Sequence, residues 1–269
     1  MINAAAVRAQ VAQIEKYKSA VNTFKSKYNN QLPGDIDNAD AVAFGFQARG
    51  TIPGEGDGNG ILEGYVNGGA ITHNGAGQGT GETLMFWVDL SQANLIDATL
   101  NTASSTALLG QTINATSTPP LSAFYPPAKI GNGNYVYVYS GGPGNGNGAA
   151  PTNMDGNNYF GITNITNITS NMYLTATAGL TVQQAYNIDT KVDDGIPTTG
   201  NVTAVVLFHL FAEWVSIING SPSTLSPPTQ TPAAAADCFD NGNVSGAPEH
   251  YSTEYNFGSN VNCSLSFRF

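Results

Sequence analysis

The chain has 269 residues, 41% of them hydrophobic, and a net charge of −10 although only 10% of its residues are charged. That length can bury a substantial core, and that hydrophobic share excludes a disordered chain. The negative balance argues against nucleic acid or anionic lipid as a partner and leaves carboxylates to spare for cations.

The first element is a helix over Ala4–Tyr28. Val7, Val11, Ile14, Tyr17, Val21, Phe24 and Tyr28 recur at steps of three and four and so share one face. Arg8, Gln10, Glu15, Lys16, Lys18, Lys25 and Lys27 wet much of the other. Asn29, Asn30 and the Pro33-Gly34 pair stop it. Periodicity leaves two readings open: a helix laid across a sheet, or the lower half of a longer helix. Met1-Ile2-Asn3-Ala4 offers no capping residue before the pattern starts, which favours a trimmed N-terminus.

Pro33 and Gly34 then turn the chain, and Asp35, Asp37 and Asn38 bond back to nearby backbone. Residues 45–81 are rich in glycine and read as a long loop rather than a layer of core. Gly81–Ile96 is a second helix with Leu84, Trp87, Ser91 and Leu95 along one side. Residues 101–128 are irregular. Asn134–Ser140 is the clearest strand, followed by Tyr159–Thr163, with the Thr-Asn-Ile repeat of Thr163–Thr169 as an edge strand. Thr181–Thr190 is a short third helix. Val202–Ile218 starts as a strand, while Phe211–Ile217 fits strand or helix. Ser221–Ala236 is a linker-like insertion, and Ser264–Phe269 alternates as the closing strand.

Cys238 and Cys263 read as one disulfide closing a loop of roughly 25 residues, with two buried free thiols as the alternative. No stretch is long enough to span a membrane, and no signal peptide is visible.

In order, QIEKYKSAVNTFKSKY, LPGDIDNA, ETLMFWVDLSQANLI, AYNIDTKVDDGIPTTGNV and Cys238 with the terminal CSLSFRF resemble the type IV pilin-like proteins. These comprise type IV pilins, minor pilins and type II secretion pseudopilins. The match covers about half the chain, and PGD and IDTKVDDG are its most specific parts. It implies an α+β fold, with a long N-terminal helix packed on a four- to seven-stranded antiparallel sheet and large loop insertions. Residues 1–30 would form the lower half of the spine and 31–269 the globular head, closed at 238–263.

The resemblance further implies a structural, non-enzymatic filament subunit at a bacterial surface or in the periplasm. Its partners would be other subunits and an inner-membrane assembly platform, the latter reached through an N-terminal hydrophobic helix. The cleavage site, that helix half and the acidic residue near the processed N-terminus are not in this sequence. Val7, Val11, Ile14, Val21 and Phe24 would be the helix face used in assembly. The alternative function is a minor pilin or adhesin binding a glycan or protein through its inserted loops.

Two acidic groups invite a cation. Glu55, Asp57 and Asn59 alternate before Gly60, with Glu63 at position nine, and oxygens so spaced on a glycine-rich loop suit Ca²⁺, while a plain solvated loop is the simpler reading. Position twelve is Val66, so this is not an EF-hand. Pseudopilins bind calcium in loops of this broad type. Asp189, Asp193 and Asp194 form the second group, read first as structural, with Lys191 neutralising them or Asp193 capping a turn into Gly195 and Pro197, and with calcium as the alternative. For catalysis the sequence offers little: His73, His209 and His250 are far apart, and no nucleophile elbow, phosphate loop or zinc motif occurs.

Overall fold

The computed structural model describes residues 4–50, 54–64, 81–105, 111–142, 155–170, 173–208, 211–215 and 236–269. His73, His209 and nearly all of the 221–236 insertion lie outside them. The helices are α1 (Ala4–Lys27), α2 (Asn38–Ala43), α3 (Glu82–Gln92) and α4 (Val182–Val192). The strands are β1 (Ile113–Asn114), β2 (Asn134–Ser140), β3 (Asn158–Ile168), β4 (Leu174–Thr177), β5 (Leu180–Thr181), β6 (Val202–Thr203), β7 (Val205–Phe208), β8 (Phe211–Trp214), β9 (Phe239–Asp240), β10 (His250–Tyr251), β11 (Val261–Cys263) and β12 (Leu265–Arg268).

The fold is α+β, an N-terminal helix with antiparallel sheets. Strand β3 is its centre. Its first half is flanked by β2 and β12, and its second half by β4 and β1. The Thr-Asn-Ile repeat is therefore the continuation of a central strand, not a separate edge strand. Strand β12 joins β6 on its far side.

Both faces of this sheet are covered, so β2 is buried along nearly its whole length instead of alternating. On one face Phe160 stacks with Phe269 at 4.1 Å and meets Tyr17 of α1 and Trp87 of α3. On the other, Tyr137 lies over Gly161, where an added Cβ would sit 2.0 Å from the ring. The Tyr137 hydroxyl accepts the Leu207 N–H at 2.9 Å, and Ser266 donates to the Val205 carbonyl at 2.9 Å. These bonds fasten the β7–β8 hairpin to that face. The run from Val202 thus continues as strand through Trp214, with no helix over Phe211–Trp214.

Helix α1 is part of the head's own core. Val7, Ile14, Tyr17, Val21 and Phe24 are buried in it, and Val11 packs against it half-buried. The face that the resemblance assigns to assembly therefore closes this subunit. Ala5, Arg8, Ala9, Ala12, Glu15, Lys16, Ser19 and Asn22 make the exposed side. Among the described residues no helix is long and apolar enough to cross a membrane.

Helix α4 starts at a capping box, in which Thr181 Oγ1 accepts the Gln184 N–H while Gln184 Oε1 accepts the Thr181 N–H. Cys238 and Cys263 are bonded, with a sequence separation of 25. A loop of that length stabilises by about 3 kcal/mol in the chain-entropy account. Reduction or a Cys238→Ala/Cys263→Ala variant is expected to lower stability by about that much in urea melts. A thiol reagent under denaturing, non-reducing conditions should label nothing.

Candidate metal centre

The residues that converge are not the set the sequence suggested. Asp57 meets Asp35 and Glu82, and each offers an oxygen within 4.8 Å of the other two. Asp35 comes from the PGD turn and Glu82 from the first residue of α3, and both are fully buried, whereas Asp57 is exposed. Asn59 does not present its oxygen to this group. Its side-chain N–H donates to Asp57 at 3.1 Å and to Glu63 at 3.4 Å, while its oxygen accepts the Ile61 N–H. Glu55 and Glu63 are buried beside the same loop but fall outside the triplet.

The glycine-rich segment 54–64 is correspondingly less open than its composition suggests. Asp35 accepts the N–H groups of Gly58 at 2.9 Å and Gly60 at 2.7 Å. Glu82 accepts those of Gly56 at 3.0 Å and Glu63 at 2.7 Å. Asn158 of β3 completes the hold, accepting the Leu62 N–H and donating to the Gly60 carbonyl. Leu62 is fully buried as a result. Two carboxylates thus replace the sheet or helix partners that an irregular buried backbone otherwise lacks.

Electrostatics make this group unstable as three free anions. Burial, and then the neighbouring Asp57, push the Asp35 carboxyl up to about 7. Burial pushes Glu82 well above its ordinary value, with Asp35 adding to it. Arg49, whose stem packs on Gly56, turns its guanidinium to Asp89 instead. The two buried carboxylates therefore favour a proton or a cation. Oxygens within 4.8 Å suit a calcium ion, which bonds oxygen at about 2.3–2.6 Å, and exposed Asp57 leaves its outer positions to water.

The second predicted group also comes together, as Asp189, Asp193 and Asp194. Its oxygens accept donors of the protein, as those of Asp35 and Glu82 do. Asp189 accepts the Tyr251 hydroxyl at 2.7 Å and the Gly195 N–H at 3.1 Å. Asp193 accepts the N–H groups of Asn201 and Val202, and Asp194 those of Ile196 and the Thr199 hydroxyl. This agrees with the structural reading of the group, in which the carboxylates hold a turn. Burial raises the Asp189 carboxyl to about 7 against the two bonds that lower it.

A third group went unread in the sequence: Asp240, His250 and Glu254, all within the disulfide-closed loop. Asp240 is buried and accepts the Ser252 hydroxyl at 2.5 Å and the Gly242 N–H at 2.9 Å, with His250 Nε2 at 3.8 Å. The only sequence signal was the loop itself, which confines the three residues to 25 positions.

Comparison with protein families, with curated proteins and with solved structures finds no match to this chain.

Proposed function

We propose that this chain is the head of a pilin-like filament subunit, a structural rather than enzymatic component carried at a bacterial surface or in the periplasm. The observation that supports this reading is the double use of α1. One face is built into the sheet's core, and the opposite face stays exposed along the helix. A helix so placed serves its own head and lies open to neighbouring subunits. The closing strand β12 beside β3, with Cys263 just before it, agrees with the same architecture.

The test is to shear surface filaments from the source cells and sequence the N-terminus of this protein there. A methylated, hydrophobic segment preceding the Ala4 run, in the filament fraction, is expected. The same N-terminus found only in the inner membrane would assign a secretion pseudopilin. A protein that starts at Met1 and occurs outside any filament or membrane overturns the reading.

Within this reading Asp35, Asp57 and Glu82 hold a calcium ion, which supplies positive charge to the buried carboxylates and rigidifies the 54–64 loop. Millimolar calcium is expected to raise the melting temperature by roughly 5 °C over EGTA, as a ligand near a hundredfold above its Kd would. Asp57→Ala should lose the response. Melting temperatures identical in EGTA and calcium would remove the metal and leave the loop as a proton-holding turn.

A further inference from the structure

Three successive residues, Asn256, Phe257 and Gly258, lie in the left-handed region with φ of 48°, 53° and 65°. Asparagine and glycine adopt it readily, but a bulky aromatic residue does so at a cost. At Gly258 the backbone backs onto Gln183 at the start of α4, where an added Cβ would lie 3.0 Å away. The turn is thus pinned to α4, and it presents Phe257 with 92% of its surface exposed. Neither local conformation nor packing among the described residues accounts for phenylalanine at this position. An aromatic side chain held strained and uncovered is the kind of outlier from which function is inferred.

The chain also carries a receptor for such a knob. A groove of about 530 Å³ runs beside the exposed face of α1, lined by Ala9, Ala12 and Tyr17 with Ala98, Pro126 and Pro127. Its rim is positive on balance, since Lys16 and Lys129 flank the single Asp97. The knob is negative on balance, with Glu254 exposed three residues before Phe257. The same contrast runs through the whole chain: α1 holds Arg8, Lys16, Lys18, Lys25 and Lys27 against Glu15 alone, in a protein of net charge −10. The groove lies between α1 and the segments after α3 and before β2, whereas the knob sits on α4. One copy therefore offers both at once.

We propose that Phe257 of one copy seats in the α1 groove of a second copy. Two different patches meet in this contact, so it is heterologous; repeated, it joins more than two copies, into a line where its rotation does not close. It rests on the filament reading and adds to it the side chain that joins one head to the next.

Cysteine trapping tests it, because Cys238 and Cys263 are already bonded and no described cysteine is free. Phe257→Cys and Ala12→Cys chains, mixed under a mild oxidant, are expected to form a mixed disulfide several-fold faster than Phe257→Cys with Ser19→Cys. Ser19 is exposed on the same helix but outside the groove. A single chain carrying both Phe257→Cys and Ala12→Cys should give a ladder beyond the dimer, and high salt should slow it. Equal coupling to Ser19→Cys, faster coupling of Phe257→Cys to itself, or products that stop at the dimer would overturn the contact. If native filaments persist with Phe257→Ser and the mixed disulfide is missing, the contact fails while the filament reading stands. If the ladder forms from a protein found outside any filament, the contact stands and the filament reading fails.

Discussion

Arg49→Met is expected to cost the fold about 3–5 kcal/mol, the range for removing one partner of a buried ion pair. Arg49 Nη2 donates to both oxygens of Asp89, at 2.7 Å and 2.6 Å, and neither side chain has any exposed surface. Asp89 also accepts the Gly34 N–H at 2.6 Å. Burial pushes the Asp89 carboxyl up even with Arg49 pulling it down. Without the guanidinium the shift grows, and the carboxylate must either stay charged and uncompensated or take a proton. A folded-state pKa raised above the unfolded value gives stability that is present at low pH and lost as pH rises through the folded value. The variant should therefore lie closest to the parent near pH 4 and fall furthest behind at pH 8, by urea melts. Arg49→Met combined with Asp89→Leu should recover much of the loss, since an apolar pair of similar volume removes the stranded charge. A single variant within about 1 kcal/mol of the parent at pH 8 would mean that Asp89 is solvated, against its full burial.

The ion pair also has a place in the candidate site. It ties three segments together: the loop at 49, the turn at Gly34 and the middle of α3. Gly34 has a φ of 87°, and a Cβ there would lie 2.3 Å from the Glu82 carbonyl oxygen, so turn and helix approach as closely as backbone allows. Asp35 and Glu82 are the residues next to that contact. Loosening Arg49–Asp89 is thus expected to separate the two buried carboxylates before it unfolds the sheet. A milder variant, Arg49→Lys, should weaken the calcium response while keeping most of the stability.

Helix α1 and strand β2 were legible because each is written in a local pattern, one with a period near 3.6 and one in aromatic and β-branched residues. What those patterns do not carry is the partner. The apolar face of α1 reads equally as a seam between subunits or a face of the subunit's own core, and Phe24 and Ile14 turn out to serve the core. Strand β3 shows the same gap. Its threonines and asparagines suit an exposed edge, yet β1 and β4 pair with it from both sides, and β1 lies far back in the chain. The spacing of Glu55, Asp57, Asn59 and Glu63 pointed to the loop that carries the acidic cluster but included only Asp57 of its three carboxylates. Asp35 reads in the sequence as a turn former, a role that needs no burial, and Glu82 carries no local signal of a ligand. Their charge partners are set by tertiary contact, which no spacing within ten residues encodes.

Between pH 5 and pH 8 the chain in EGTA is expected to lose stability, and calcium is expected to remove part of that loss. In the folded state Asp35 titrates at about 7, raised first by burial and then by Asp57; unfolded, it titrates near 4. Its contribution is therefore fully present below pH 4 and disappears as pH rises to 7, which amounts to about 3 kcal/mol across this window. Glu82 is raised by burial and by Asp35, so it carries the same sign and extends the loss to higher pH. Asp189, raised to about 7 by burial, adds in the same direction from a separate group on α4. Calcium acts only on the first pair. It favours the ionised carboxylates, so its affinity should rise with pH, and melts in calcium should show a flatter slope from which the Asp189 share is still visible. Asp57→Asn should flatten the EGTA curve as well, because it removes the neighbouring charge that helps raise Asp35. Stability that rises from pH 5 to pH 8 in EGTA would mean that the buried carboxylates are ionised throughout. An equal slope with and without calcium would mean that calcium does not bind the ionised pair, and would leave Asp35 and Glu82 to be neutralised by protons alone.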